Sequence, residues 1–385
     1  MARNFAANRA SVARRFTVMR LIGFLLALAL AGTARAQTTT ADSSTATLQS
    51  VATFPQQQVT GVAVSRRGRV FVNFPDWSDG HTISVAEIVN GQPRPFPNDE
   101  WNKPDGAPND HFVCVQSVYV DESDSLWVLD PAAPKMKDIV NGGPKLVKID
   151  LVKNEVVQTI PFSEDIAPKK SYLNDVRVDV KTDTAYISDS GLGAIVVVDL
   201  LTGKARRLLE GDRSTQAEKD FQLQVDGRGL LGENGKPPQI NSDGIALDRL
   251  NGFLYYHALS GKTLYRIKTA DLRNPRLTES ELSAKVETVA ETPPPDGMLM
   301  GPNGRLYLTD VAHGAVHSFD LKEKKLAPVI SDPRLLWPDS MSFGPDGALY
   351  VTASQIENMP RFNGGKSTRT TPYQLFKIIG ALAAP

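Results

Sequence analysis

The sequence contains almost no cysteine: Cys114 is the only one in 385 residues. A single thiol cannot form a disulfide within the chain, so internal cross-links are excluded as a source of stability. A lone cysteine of this kind is typically a small buried apolar residue. With 41% hydrophobic residues, the chain is expected to be stabilised by a large packed core.

The sequence also lacks an excess of positive charge. It has 43 basic and 43 acidic side chains, but the first 36 residues contain six Arg and no Asp or Glu. The remainder therefore carries 37 basic against 43 acidic side chains, a formal net charge of −6. A mildly acidic body without a basic block has no electrostatic footprint for nucleic acid, so we expect no nucleic-acid partner.

Long hydrophobic runs are absent as well. The uncharged apolar run at 21–31 would rise only about 16 Å as a helix, whereas the hydrocarbon core of a membrane is about 30 Å thick. It follows an Arg-rich segment and precedes Ala34-Arg35-Ala36, which is the pattern of a cleavable secretory signal. We predict that residues 1–36 are a signal peptide and that the mature chain, from about Gln37, is secreted or periplasmic, with no membrane contact after cleavage.

Two shorter features accompany this signal. Arg14-Arg15 leaves the choice between Sec and twin-arginine export open. Residues 37–46 are polar and rich in Ser and Thr, which predicts a disordered spacer. The folded domain is therefore expected to occupy residues 47–385.

What the sequence does contain is a repeat. A short apolar strand, a turn rich in Gly, Asp or Asn, and a second apolar strand occur six times, at intervals that leave room for four short strands each. Asn-Gly and Asp-Gly turns supply the positive φ that tight hairpins need. Six copies favour an all-β, six-bladed propeller of four-stranded blades over a pair of β-sandwiches. The first apolar residues of the copies are Val62, Val118, Val176, Ile245, Met298 and Met341.

The two ends of the domain predict how the propeller closes. After the sixth copy only one further strand can be recognised, at Tyr373–Ile379. The apolar segment Leu48–Phe54, from the other end of the domain, can supply the missing outer strand. Such closure removes the exposed edge that an open array of sheets would leave.

A series of motifs gives the chain a family resemblance. In order along about residues 50–380, the chain contains Phe74-Pro75-Asp76-Trp77, Leu126-Trp127-Val128-Leu129-Asp130, Leu173-Asn174-Asp175-Val176, Ser242-Asp243-Gly244-Ile245 and Leu336-Trp337-Pro338-Asp339-Ser340. Together these motifs resemble a bacterial-type member of the major royal jelly protein/Yellow family. The resemblance implies a secreted six-bladed propeller in a family whose members bind small aromatic amines and whose insect Yellow branch is linked to dopachrome conversion. Insect members usually carry disulfides, which this chain cannot form.

An oxygen-bearing side chain stands two residues before each repeat position. Sixfold pseudosymmetry would bring these six side chains into a ring at the mouth of the central channel, where propellers bind ligands. Crowded carboxylates raise one another's pKa values and attract a cation or an ammonium group. The alternative is structural, because Asp-Gly and Asp-Ser also form turns. The six residues are Thr60, Gln116, Asn174, Asp243, Asp296 and Asp339.

We therefore predict a monomer that binds a small polar or aromatic, amine-like molecule at this ring. No cofactor is required, although an all-oxygen ring suits Ca²⁺. The amine-binding branch of the resembling family holds its ligand with a Thr in Trp-Pro-Asp-Thr and an Asn 15 positions later. Ser340 and Gln355 occupy the matching positions here. Ser340 keeps the hydroxyl of Thr, and Gln355 keeps the amide of Asn but places it one methylene group farther from the backbone.

Enzymatic alternatives remain open. Six-bladed lactonases bind a divalent metal through Glu, Asn and Asp; Asn174 and Asp243 match the last two, but Gln58-Val59-Thr60-Gly61 offers no Glu in the first blade. His257 is a candidate for proton transfer in a dopachrome-tautomerase-like reaction. Gly-x-Ser-x-Gly, His-Glu-x-x-His, Walker and Cys-x-x-Cys motifs are absent. A third hypothesis is a protein-binding scaffold that uses loops 92–110, 211–241 and 356–372.

Overall fold

The computed structural model describes residues 46–78 and 80–383. The predicted signal peptide, residues 1–36, and spacer residues 37–45 lie outside this range. Within it, no helix is long and apolar enough to cross a membrane.

Six four-stranded antiparallel sheets form the blades of a propeller. Each blade places its first strand next to the channel axis and its last strand at the periphery. In chain order, the first strand is β1 (Thr47–Phe54), which belongs to the sixth blade. The first blade contains β2 (Val62–Val64), β3 (Val70–Asn73), β4 (Val85–Val89) and β5 (Gln92–Pro95). The second contains β6 (Ser117–Val120), β7 (Ser125–Asp130), β8 (Lys145–Asp150) and β9 (Glu155–Pro161). The third contains β10 (Leu173–Asp179), β11 (Thr184–Asp189), β12 (Ala194–Asp199) and β13 (Ala205–Leu208).

The remaining blades follow a long connection that carries a small hairpin, β14 (Gln224–Val225) and β15 (Arg228–Gly229). The fourth blade contains β16 (Ser242–Asp248), β17 (Phe253–Ala258), β18 (Thr263–Lys268) and β19 (Glu287–Glu291). Two short helices, α1 (Thr269–Arg273) and α2 (Glu279–Ser283), join its last two strands. The fifth blade contains β20 (Met298–Met300), β21 (Leu306–Asp310), β22 (Ala315–Asp320) and β23 (Lys325–Ser331). The sixth contains β24 (Pro338–Phe343), β25 (Leu349–Ala353) and β26 (Tyr373–Ile379). Single 3-10 turns lie at Pro134–Met136, Ile356–Asn358, Pro360–Phe362 and Ala381–Ala383.

Strand β1 completes the sixth blade and closes the ring, as the sequence predicted. It pairs antiparallel with β26, from Thr47 opposite Ile379 to Phe54 opposite Tyr373. Without β1, the sixth blade would have three strands and an unpaired outer edge. The expected all-β, six-bladed fold is therefore confirmed.

The core lies between the blades. Six apolar clusters fill the six interfaces between neighbouring blades, and each inner strand contacts the inner strands on both sides. Trp127, for example, packs from the second blade against Val176 of the third. Stability therefore comes from side-chain packing around the ring, and the buried Cys114 makes no cross-link.

The loops differ from expectation in one place. Residues 92–95, predicted as the start of a variable loop, form β5 and complete the first blade. Residues 211–241 and 356–372 do form long connections, with the β14–β15 hairpin in the former. The sequence indicates the outer strand Gln92–Pro95 only weakly, because it is short and contains two prolines, which cannot donate backbone hydrogen bonds to a neighbouring strand.

A buried ion pair fastens the second blade to the segment that precedes it. Lys145 Nζ lies 2.9 Å from Asp130 Oδ2, and both side chains are fully buried. Asp130 also accepts the backbone N–H groups of Val113, Cys114 and Ala132. Lys145 donates to two backbone carbonyls, so both charges are fully hydrogen-bonded.

We expect Lys145→Met to lower the free energy of unfolding by about 3–5 kcal/mol, because it leaves Asp130 as a buried, uncompensated charge. Urea denaturation at pH 7 measures the change. Lys153→Met, at an exposed lysine of the same blade, should change it by less than about 0.5 kcal/mol. Adding Asp130→Asn to Lys145→Met should recover part of the loss. A Lys145→Met variant as stable as Lys153→Met would contradict this account.

Candidate functional site

The six sequence-predicted ring residues all lie at one end of the channel, where the inner strands begin. Thr60, Asn174, Asp243, Asp296 and Asp339 are less than a tenth exposed, and Gln116 is half-buried. They are therefore enclosed by protein and do not line an open mouth. Because burial disfavours the charged form of a carboxyl group, the Asp residues among them are expected to have shifted pKa values.

Irregularities in the inner strands direct these side chains. The pairing register shifts between Leu173 and Val176 in β10, between Ser242 and Ile245 in β16, and at the corresponding place in β24. Such bulges let consecutive side chains depart from strict alternation across the sheet. The three bulges coincide with Asn174, Asp243 and Asp339.

Glycine allows neighbouring inner strands to approach closely at this level. A Cβ atom on Gly297 would lie 1.9 Å from the carbonyl oxygen of Asp339, and one on Gly244 would lie 2.6 Å from that of Asp296. Asp243-Gly244 lies inside β16, so this Asp-Gly pair is not a turn. The glycines are needed because any side chain here would push the blades apart.

Four carboxyl groups form what we call the carboxylate cluster: Asp175, Asp243, Asp296 and Asp339. The Asn174 side-chain amide donates a hydrogen bond to Asp243 Oδ1, and the Asp243 and Asp296 carboxyls bond to each other. Trp337 Nε1 donates to Asp296 Oδ2. Asp339 accepts hydrogen bonds from Ser354 Oγ at 3.0 Å and Ser340 Oγ at 3.1 Å.

The cluster is strongly perturbed in its ionisation. Burial raises the pKa of Asp243 well above its ordinary value, and the charges of Asp296, Asp175 and Asp339 raise it further. Burial and the charges of Asp296 and Asp175 do the same to the pKa of Asp339. Burial raises the pKa of Asp296 to about 6, although its hydrogen bonds with Trp337 and Asp243 oppose the shift. Asp243 and Asp339 therefore retain protons at a pH where an exposed Asp is ionised.

Asp175 and Arg177 also belong to this region, although the sequence did not indicate them as site residues. Burial raises the pKa of Asp175, while the charge of Arg177 opposes the shift. Arg177 Nη2 lies 3.2 Å from Asp175 Oδ2, and Ser117 Oγ lies 3.2 Å from Asp175 Oδ1. Asp175 follows Asn174 directly, so simple alternation would place it on the opposite face of β10. The bulge removes that alternation, and no local signal reveals it.

The other predicted ligand residues have different partners. Thr60 Oγ1 accepts a hydrogen bond from Asn73 Nδ2 at 2.9 Å, and Gln116 Oε1 accepts one from Tyr172 Oη at 2.9 Å. The amide of Gln355 exchanges two hydrogen bonds with the backbone of Thr370 and thereby fastens the 356–372 loop. Ser340 contacts Asp339, so of the two residues taken from the family resemblance it alone touches the carboxylate cluster through a described hydrogen bond.

A loop cluster covers this end of the channel. It joins apolar side chains from the connections of all six blades, so it extends across the axis. Trp77 donates to Tyr172 Oη at 2.8 Å, which links the loop cluster to Gln116 below. Its buried members are Trp77, Cys114, Leu223, Val225, Leu230, Leu259, Val311, Trp337, Ile356 and Met359, with Met136, Tyr172, Phe221, Ile240 and Phe362 half-buried around them.

His257, the candidate for proton transfer, is fully buried near the 211–241 connection. Burial lowers its pKa to about 4, so it is neutral at pH 7. Its Nδ1 lies 2.7 Å from the carbonyl oxygen of Ala258. Within the described residues it forms no hydrogen bond with the ring residues.

Metal-binding geometry is not evident at the ring. Among residues 46–78 and 80–383, no group of three or more His, Cys, Asp or Glu side chains is arranged to hold a metal ion. The Asn174 amide turns its nitrogen toward Asp243, and an amide nitrogen that donates this bond is not a metal ligand.

These features define a class of protein: a six-bladed β-propeller with a buried carboxylate cluster on its axis. The family model described as "Major royal jelly protein" matches residues 113–373. The chain therefore belongs to the major royal jelly protein family, as its motifs had indicated.

Two honeybee proteins (Apis mellifera) are distant relatives. Major royal jelly protein 1 is 22% identical over 228 residues, which cover 54% of this chain and 49% of that protein. Major royal jelly protein 2 is 22% identical over 273 residues, covering 66% of this chain and 58% of that protein. The chain thus matches about half the length of these relatives.

Solved structures support the fold. A gluconolactonase from Xanthomonas campestris superposes with a TM-score of 0.52 at 13% identity, over 86% of this chain and 89% of its own. A luciferin-regenerating enzyme superposes with a TM-score of 0.51 at 11% identity, over 86% of this chain and 95% of its own. At these identities the likeness concerns the fold alone.

We expect Asp243→Asn to weaken the decrease in the free energy of unfolding that accompanies rising pH. The folded chain holds protons on these carboxyls that the unfolded chain releases near about pH 4. These pKa values are raised on folding. The free energy of unfolding therefore falls as the pH rises from about 4, where the unfolded chain loses these protons, through about 6, the pKa of Asp296 in the folded chain. Asn resembles the protonated carboxyl and cannot ionise, so the decline should become shallower by up to about 1.4 kcal/mol per pH unit.

Denaturant titrations from pH 4 to pH 8 measure this slope. Asp199→Asn, at an exposed Asp whose pKa is lowered by backbone hydrogen bonds from the 201–203 turn, is the matched control and should not reduce the decline. Equal slopes for Asp243→Asn and the unaltered chain would show that Asp243 is ionised in the folded state.

Proposed function

We propose that this protein binds a small protonated amine at the carboxylate cluster. The observation that carries the proposal is the convergence of four buried carboxyl groups, where burial first and mutual repulsion second raise the pKa values of Asp243 and Asp339. Proteins rarely bury uncompensated acids, because desolvated charge is costly. A bound ammonium group would supply the missing positive charge and donate hydrogen bonds to several oxygens at once.

The surroundings of the cluster favour an aromatic or polar amine. Trp337 donates to Asp296, and Trp77 with Tyr172 lies in the loop cluster directly above the ring. Aromatic faces next to carboxylates stabilise organic cations through cation–π interaction. Ser340 and Asn174 add a hydroxyl and an amide for orientation.

Binding at this site requires the loop cluster to open. The carboxylates are less than a tenth exposed, and the 356–372 loop is fastened by the Gln355–Thr370 hydrogen bonds. We therefore infer that the ligand enters after the 211–241 and 356–372 connections move apart.

A metal-dependent hydrolase is the second candidate, and one contact supports it. Asn174 and Asp243, which match two ligand positions of six-bladed lactonases, are in direct hydrogen-bond contact. Rotation of the Asn174 amide would turn its oxygen toward a cation held by Asp243. Ca²⁺ is the ion that such oxygens would take.

Thermal melting at pH 7.5 separates these functions. Phenethylamine should raise the melting temperature by at least about 2 °C at saturating concentration, because a ligand of the native state stabilises it by mass action. Its neutral counterpart, 2-phenylethanol, should have little effect. The amine shift should disappear in Asp243→Asn and persist in Asp199→Asn.

The remaining outcomes have definite meanings. A shift with CaCl₂ that is lost in Asp243→Asn, without any amine effect, would replace the amine-binding proposal by the hydrolase. Equal shifts with phenethylamine and 2-phenylethanol would show that the carboxylates do not select the charge, and the amine proposal would fall.

A further inference from the structure

The opposite end of the channel contains a cavity that shares only Asp175 and Ser340 with the proposed amine site and is not lined by Asp243, Asp296 or Asp339. Its volume is about 540 Å³, within the range of small-molecule sites. The inner strands of all six blades line it, together with several hairpin turns, and the apolar walls include Val62, Val118, Met300 and Met341. Leu250, at one of the turns, is 89% exposed at the rim.

Arg177 lies across the channel between this cavity and the carboxylate cluster. From β10 of the third blade it reaches the carbonyl oxygen of Met298 in the fifth blade, with Nη2 at 2.8 Å. Its guanidinium group lies 5.4 Å from the ring centre of Tyr119 in the second blade. A ligand that enters from this end therefore meets Arg177, paired with Asp175, before it reaches Asp243, Asp296 or Asp339, which do not line the cavity.

The guanidinium group is not fully satisfied. The Arg177 side chain is 9% exposed, and its Nε, which is buried, has no hydrogen-bond partner among the described residues. Its other contacts are to Asp175, at 3.2 Å, and to backbone carbonyls. Leaving a buried charged donor without an acceptor is costly, so the guanidinium charge is only partly compensated by the protein. Because Arg177 lines the cavity, a ligand oxygen beside its guanidinium group would be favourable.

The carboxyl groups that line the cavity already accept hydrogen bonds from other groups of the protein. Glu122 Oε1 accepts from Arg249 Nε at 2.7 Å. Asp248 accepts the N–H groups of its own turn, and Asp175 is bonded to Ser117 and Arg177.

The basic side chains retain hydrogen-bond donors. Lys181 lines the cavity and is exposed, and Arg249 stands at the rim with a further contact to Tyr119 Oη at 3.0 Å. The unused hydrogen-bonding capacity of the cavity is therefore mainly that of donors.

We propose that this cavity is a second ligand site, selective for a small carboxylate with an apolar body. The carboxylate contacts Arg177 and Lys181, and the apolar part lies against the valine and methionine walls. The two ends of the channel then select opposite charges: an amine at the carboxylate cluster and an acid at the hairpin turns. The inference goes beyond the proposed amine function and does not depend on it.

Isothermal titration of the mature chain at low ionic strength tests the proposal, with phenylacetate, phenethylamine and 2-phenylethanol as probes. Phenylacetate should bind at least tenfold more tightly than 2-phenylethanol, and added salt should weaken it. Lys181→Met should weaken phenylacetate binding about threefold, whereas Lys204→Met, at an exposed lysine of the same blade away from the cavity, should not. Arg177→Gln should abolish it.

Arg177→Gln also removes the positive charge beside the buried Asp175, so its effect is compared with that of Lys181→Met, which replaces an exposed side chain and leaves the core intact. Phenylacetate no tighter than 2-phenylethanol, or identical effects of Lys181→Met and Lys204→Met, would overturn the proposal. Asp243→Asn separates the two sites. It should remove phenethylamine binding and leave phenylacetate binding unchanged, and loss of both would overturn a separate second site. Phenylacetate binding without any amine binding would support this inference while refuting the amine function.

Discussion

Pairing of β1 with β26 is the interaction on which the rest of the structure depends. It joins the two ends of the domain over the full length of both strands, from Thr47–Ile379 to Phe54–Tyr373. Each blade buries its faces only against two neighbours, so an open ring would leave two blades with an uncovered face. Closure also directs all six inner strands toward one axis. The carboxylate cluster exists only because of that convergence.

Closure has an electrostatic consequence. Asp175, Asp243, Asp296 and Asp339 come from four stretches of chain that would be far apart in any open arrangement. Brought together below the loop cluster, they lose water and face one another, and their pKa values rise. Arg177 is held against one side of this group. The channel is thereby divided into an acidic compartment beneath the loops and a cavity with available basic donors at the hairpin turns.

The sequence allowed most of the fold to be predicted, since the relevant signals are local. Alternating apolar residues and Gly-containing turns mark each pair of inner strands, and the missing outer strand of the last blade was visible as Leu48–Phe54. The outer strand at Gln92–Pro95 was missed because two prolines and polar residues give it the composition of a loop. The site was predicted only in part. Asn174, Asp243, Asp296 and Asp339 do lie together, but Asp175 reaches them through a bulge, and the covering loops come from distant connections.

By itself, the sequence determined the number of blades, the order of their strands, the strand that closes the ring and the family, because each is marked by short apolar, turn or motif patterns that can be read locally along the chain. The tertiary structure decided the environment of the same side chains. Whether Asp243 carries a proton depends on its distance from Asp296 and Asp339 and on the water excluded around them. Such distances are set by blade packing, by the close approach at Gly244 and Gly297, and by loops that meet over the axis. None of these is encoded by neighbouring residues, since Coulomb interaction and desolvation act through space and not along the chain.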